Sequence, residues 1–525
     1  MKRMTAIRSD AWAAGRLGRA WGLLLALALL PCCACRPASP PAPGATAAGE
    51  AQPGAGSEKE TWYVVYIQGA RAGYQRTTTE PVVRDGRQLV EARILQHLVV
   101  VRDGKPIEME DRLTSVETPD GGLVEFEVES SRGPEPTRAS GRVMGDSLQI
   151  ERTSKGRKET VPIPWSAGGG FYAVEQSLAR NPMKPGEKRT IRALVPEIYV
   201  VGTQQLVARE YESVELPTGA GDLLRIDTTL VFPQELGAPS LEGSLWTDRS
   251  GEVVKSSEAA MNVETYRATR DEALKEIEPG GFDFVRDLKV PVARPLPSPH
   301  ATRRVRYRVT VKDGDPLRVF VSGYSQKVEP VDAHTAEVTV YALRPGGEGG
   351  NPDAAADPPS DDDLEPNSTI QSDYPAIAAK AHEVAADQRD PWAVAVALER
   401  AAADAVITTD FSQAFATAAE VIESGRGDCT EHAVLLAALC RARRIPARSA
   451  IGLVYLDRAF CYHMWTEVHV DGRWIPLDAT FPQGGTGAAY LKMAHSNFKK
   501  ASALSAFLPV MQVIEKLKIE VLEVE

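Results

Sequence analysis

Residues 425–440 read GRGDCTEHAVLLAALC. Asp428 followed three residues later by Glu431 has the spacing of a capping box, placed just before an apolar run. The spacing predicts a helix whose N-cap is Asp428 and whose first residue is Cys429. At that position the unpaired backbone N–H groups and the positive end of the helix dipole favour an anion, so a lowered thiol pKa is expected. Gly425 and Gly427 allow a tight approach and leave room for a substrate at the sulfur. The competing reading makes Cys429 a buried filler and the glycines simple turns. Arg426-Gly427-Asp428 also spells an adhesion tripeptide, but an Asp committed to a helix cap is not displayed on a free loop.

A thiol nucleophile needs a base, and the base needs an orienting partner. Both are offered by YHMWTEVHVDGRWIPLDAT, residues 462–480. Asp471-Gly472 is a two-residue hairpin signal between alternating strands. If Val470 pairs with Arg473, Thr480 falls opposite His463 and Asp478 opposite Trp465. His463 and Asp478 are then diagonal neighbours on one face, within reach of each other. Met464, Thr466, Val468, Val470, Ile475, Leu477 and Ala479 make the other face, which is mostly apolar and belongs against a core. His463, Trp465, Glu467, Trp474 and Asp478 are left on a face expected to be open. A metal cluster of His463, Glu467, His469 and Asp478 is disfavoured, because at about 3.3 Å per residue His469 lies roughly 20 Å from His463.

Taken with ARRIPARSAIG (442–452) between them, these two stretches resemble the core of the transglutaminase-like superfamily. The resemblance implies a papain-like α+β domain over roughly the last 150 residues. It implies Cys429 as nucleophile, His463 as general base and acid, and Asp478 as the residue orienting His463. Trp465 matches a frequent aromatic of the family, and Gln413 is a candidate second oxyanion donor beside the Cys429 amide. The implied chemistry is acyl transfer from a protein or peptide amide through a thioester, resolved by water or by an amine, with no metal or cofactor. Two other functional classes stay open: a catalytically silent, peptide-binding member of the fold, and a scaffold lipoprotein acting through its β region.

The rest of the 525-residue chain is too long for one core. A net charge of −11 argues against a nucleic-acid partner, since phosphate binding needs a basic surface. Basic residues precede WGLLLALALL (21–30) and the cysteine-rich PCCAC (31–35), a layout of a secretory signal with a lipobox-like end. Residues 1–35 are therefore expected to be a lipoprotein-type signal, with Cys35 as lipid acceptor and Cys32 or Cys33 as alternatives. Residues 36–60 read as a flexible Pro/Ala/Gly tether. The protein is expected to be exported and anchored to a membrane, facing the periplasm or cell exterior.

Residues 61–280 carry mostly β signals, with Asp85-Gly86 and Asp103-Gly104 as hairpin turns and one helix near Phe171–Asn181. They predict a large antiparallel β domain without a legible catalytic cluster. A linker follows at 291–299, and residues 295–345 give a β section leading into the C-terminal domain. Residues 346–370, rich in Gly, Pro and Asp, are expected to be a disordered acidic insert. The catalytic domain is placed at 371–525, with helices over 375–387, 392–406 (capped by Asp390-Pro391) and 411–423. The fold class is thus α+β. Apart from the lipid acceptor, Cys429, Cys440 and Cys461 are the cysteines left after signal removal, and a Cys440–Cys461 disulfide is left open.

Overall fold

The computed structural model describes residues 58–525 except 103, 132–135, 155–156, 167, 197, 235–239, 260, 278–281, 285, 345–348, 410–415, 500–506, 508–509 and 511–512. The expected signal, its candidate lipidation cysteines Cys32, Cys33 and Cys35, and nearly all of the tether lie outside the described residues, as does Gln413. The chain divides into two compact units. One takes the sheet residues up to Val100 together with Glu108–Gly280, and the other takes Val101–Ile107 with Gly281–Glu525.

In the first unit, alternating β-branched and aromatic residues build one antiparallel sheet, fourteen-stranded among the described residues. Its order runs from Arg157–Pro164 at one edge back along the chain to Lys59–Ile67. It then passes to Val263–Ala268 and continues to Lys188–Val195 at the other edge. The first strand is therefore central, with Val65 opposite Gly73 on one side and Thr265 on the other. Asp85 and Gly86 adopt positive φ of 50° and 72°, as a tight hairpin requires. Helix α1 (Ala173–Arg180) packs Leu178 against Leu206, Leu224, Ile226 and Leu245. Phe171, just before it, packs on Phe126, Leu148 and Ile150.

The second unit holds helices α2 (Pro375–Val384), α3 (Pro391–Ala405), α4 (Ala418–Ser424) and α5 (Cys429–Ala442). Asp390 caps α3 by accepting from the Ala393 amide at 2.8 Å, with Pro391 at the first helical position. The third expected helix begins later than its sequence pattern, at Ala418, where Thr417 and Glu420 form a capping box. α5 is apolar on nearly every side and accordingly buried, packed by α2, α3 and α4 and by the sheet. That sheet comprises β1 (Ala447–Leu456), β2 (Ala459–Val470), β3 (Arg473–Leu477) and β4 (Tyr490–Ser496), plus the short strand Val290–Pro291. Its order is Val290–Pro291, β2, β1, β4, with β3 also paired to β2. Thr466 Oγ1 on β2 donates to the Ala433 carbonyl of α5 at 2.9 Å, pinning helix to sheet.

The β section near 304–341 forms its own sheet, completed by Leu517–Val524 from the end of the chain. The stretch expected to be disordered is instead seated over its described residues 349–370. Asn351, Asp363 and Asn367 are buried there. Asn367 Oδ1 accepts from the Thr369 and Ile370 amides, while its Nδ2 donates to the Asn497 carbonyl. Ser360 and Asp363 form a capping box around a short 3-10 turn. Side-chain amides and carboxylates satisfy this backbone in place of apolar burial, an option that apolar periodicity does not register.

Candidate active site

Asp428 is the N-cap of α5, as its spacing with Glu431 predicts. Its Oδ1 accepts from the Thr430 amide at 2.9 Å, and Glu431 Oε2 accepts from the Asp428 amide at 2.9 Å. Gly425 ends α4 in the left-handed region, with φ 62°. Gly427 makes room for the cap: a Cβ there would lie 2.3 Å from Glu431 Cβ. Both glycines therefore serve the helix junction. The tripeptide 426–428 is bound into that junction, and its Asp428 is only 3% exposed.

Cys429 is the first residue of α5 and 4% exposed. Its thiol lies well above the ordinary value, against the expectation from the helix dipole. Burial is the largest cause and the Asp428 charge the next, opposed by a backbone N–H of Met464 donating to the sulfur. Desolvating a thiolate outweighs the half charge of a helix terminus. Cys440 and Cys461 are also free and buried.

The hairpin has the register read from the sequence, with Val470 opposite Arg473 and Thr466 opposite Leu477. Asp471 and Gly472 take φ of 52° and 76°. Asp478 lies just past β3, and its Oδ2 meets His463 Nε2 at 2.7 Å. His463 Nδ1 is buried with no hydrogen-bond partner. Asp478 Oδ2 also accepts from the Tyr490 hydroxyl at 2.8 Å, and Oδ1 accepts from the Thr480 amide at 2.9 Å. Burial pushes the Asp478 carboxyl up, but His463 and these donors more than offset it and hold it below the usual range. An ionised Asp478 accepts from Nε2–H, which leaves the Nδ1 lone pair as the free basic site.

The face expected to be open is covered. Every residue of β2 is buried except the intermediate His469. Glu467 lies in a charge network, with Lys492 Nζ at 2.6 Å and Arg448 Nε at 2.9 Å. Arg448 also stacks at 3.8 Å over the Trp474 ring and reaches Asp357. Trp465 lies beside His463, ring centroids 6.3 Å apart, and meets Tyr490 edge-on at 5.4 Å.

Sequence reasoning missed four residues of this site. Tyr490 comes from β4. Glu399 on α3 is fully buried and accepts from the Asp478 amide at 3.0 Å and the Gly484 amide at 2.7 Å. Burial pushes its carboxyl up to about 7. His300 stacks near Phe481, which in turn flanks His463. Arg102 pairs with Asp428 at 2.6 Å, both side chains being buried. A lone Glu on the inner stripe of an alanine-rich helix was a readable signal for Glu399. Arg102 and His300 left none.

Residues 378–479 match the family model described as Transglutaminase-like superfamily. No curated protein matches the chain. Among solved structures, the chain is similar to a protein described as a candidate cysteine protease from Cytophaga hutchinsonii. The identity is 16%, covering 43% of this chain and 89% of that one, with a TM-score of 0.26. It is similar to a β-barrel-like protein of a domain of unknown function from Brucella abortus, at 10% identity over 40% and 95%, TM-score 0.30. It is also similar to the periplasmic domain of TgpA from Pseudomonas aeruginosa, bound to ethylmercury, at 15% identity over 36% and 78%, TM-score 0.26. These scores are too low to transfer any property. The family match, covering the segment that holds Cys429, His463 and Asp478, makes the C-terminal part of this strand-rich α+β chain a transglutaminase-like domain.

Proposed function

We propose that the C-terminal domain transfers an acyl group from a protein or peptide amide through a thioester on Cys429. His463 acts as base and acid, and Asp478 orients it. The observation that carries this reading is the His463 ring itself, fixed by Asp478 at Nε2 and free at Nδ1. In the reaction Nδ1 takes the thiol proton as Sγ bonds to the amide carbonyl carbon, giving a tetrahedral oxyanion. The C–N bond then breaks, and the amine leaves with the proton returned by His463. Water or a second amine attacks the thioester and releases Cys429 as a thiol. The Cys429 amide at the start of α5 is one oxyanion donor.

Because the resting thiol is buried and held neutral, proton removal is coupled to substrate attack instead of preceding it. The same burial favours a second reading, a catalytically silent domain that binds peptides. Mass spectrometry of peptide mixtures, with and without added amines, separates the two. Cleavage, deamidation or amine incorporation that disappears in Cys429→Ala supports catalysis, and identical spectra for both proteins support the silent domain.

We further place the protein outside the cytoplasm on a lipid anchor at Cys35, on the strength of its leader-like N-terminus. Metabolic labelling with a radioactive fatty acid should mark the native chain and not Cys35→Ser.

A further inference from the structure

The fourteen-stranded unit contains a cavity of about 140 Å³ beside α1. Phe171, Val174, Leu194, Leu230, Leu245 and Val263 supply apolar wall. An apolar cavity of about 150 Å³ accommodates a benzene-sized guest. The charged residues of its lining are Glu175, Glu258 and the solvent-exposed Glu242, and no Lys, Arg or His is among the lining residues. Glu175, in the first turn of α1, has its Oε2 sealed from solvent without a hydrogen-bond partner. A buried carboxyl oxygen left unsatisfied is costly and calls for a donor that the protein itself does not provide.

We propose that this cavity binds a small cationic amphipath, a primary ammonium on an apolar body of about one six-membered ring, with the ammonium on the Glu175 carboxyl. The apolar walls set the size of the body, and the buried Glu175 carboxyl sets the sign of the head group. A neutral guest of the same shape would give the Glu175 carboxyl no charged partner, and an anionic guest would oppose its ionisation. The titratable groups around Glu175 are Glu117, Tyr63, Tyr172 and Glu252, with Arg267 reached through Tyr63. Glu117, an acid itself, is bound by Ser115, the Tyr172 amide and Gln176, and Arg267, the cation of this group, is engaged by Glu252 at 3.1 Å. Burial, with Glu117 adding to it, pushes the Glu175 carboxyl up to about 8. Ammonium binding therefore releases a proton near neutrality, and affinity rises with pH up to about 8.

Isothermal titration of the full chain with cyclohexylamine and with cyclohexanol tests this. The amine should bind roughly tenfold tighter or better, the weight of a hydrogen bond to a charged group. Glu175→Gln should erase that preference while leaving cyclohexanol binding in place. Val174→Phe, which fills the cavity with an apolar ring, should block both probes in a chain whose circular dichroism is unchanged. Equal binding of amine and alcohol overturns the proposal. So does a preference that survives Glu175→Gln, binding that survives Val174→Phe, or no binding of either probe.

Discussion

Arg102 Nη2 and Asp428 Oδ2 stand 2.6 Å apart, each side chain about 2% exposed, although 326 residues separate them in the chain. Arg102 belongs to the Val101–Ile107 segment of the C-terminal unit, tied down by the Gly104 amide on Asp283 and the Phe284 amide on the Val101 carbonyl. Burial pushes the Asp428 carboxyl up, but Arg102 and Thr430 hold it below the ordinary value. The pair therefore preserves the charged cap of α5.

Arg102→Met should cost about 3–5 kcal/mol, because it strands Asp428 as a buried unpaired charge. The double variant Arg102→Met with Asp428→Asn should recover part of that loss. Urea denaturation followed by circular dichroism gives both values. Additive losses would show that the two side chains do not act as a pair.

Asp478→Asn should lower turnover by about 10³–10⁴-fold, because an amide at Oδ2 no longer selects the His463 tautomer that is basic at Nδ1. Tyr490→Phe removes one hydrogen bond to the same carboxylate and should cost about ten- to a hundredfold. Thioester formation with an activated ester reads both. A Tyr490→Phe loss as large as that of Asp478→Asn would contradict the ranking.

Gly427→Ala should destabilise the C-terminal unit by about 1–3 kcal/mol, since the added methyl collides with Glu431 and opens the capping box. Gly425→Ala, which forces an L residue into the left-handed region, should cost about 1–2 kcal/mol. Thermal melts compare them directly.

The buried Glu399 carboxyl sets a pH dependence. Its folded value of about 7 exceeds the 4.5 of a free carboxyl, so between those pH values the folded state holds a proton that the unfolded state has lost. Its contribution is full below about 4.5 and is lost as pH rises to about 7. Glu399→Gln should flatten this part of the stability curve, measured by denaturation at several pH values. A slope unchanged by the substitution would assign the dependence to other groups.

Much of the site was legible because its signals are local. A capping box needs only Asp428 and Glu431, and a two-residue hairpin needs only Asp471-Gly472. Once that turn fixes the register, His463 and Asp478 must share a face. The helices failed only at their ends, as at Ala418, where capping residues set the boundary more than apolar periodicity does. The seated stretch 349–370 was missed because polar side chains hold it, which composition reads as disorder.

The sequence by itself determined which residues could form the triad, in what order, and on which local elements. Only the tertiary structure decided their environment. It buried both faces of β2, brought Tyr490 and Glu399 to Asp478, and set Arg102 against Asp428 across a separation no local pattern spans. Burial also reversed the thiol of Cys429. A helix terminus can be read from a short local stretch, but the desolvation that overrides it depends on every segment packed around the sulfur.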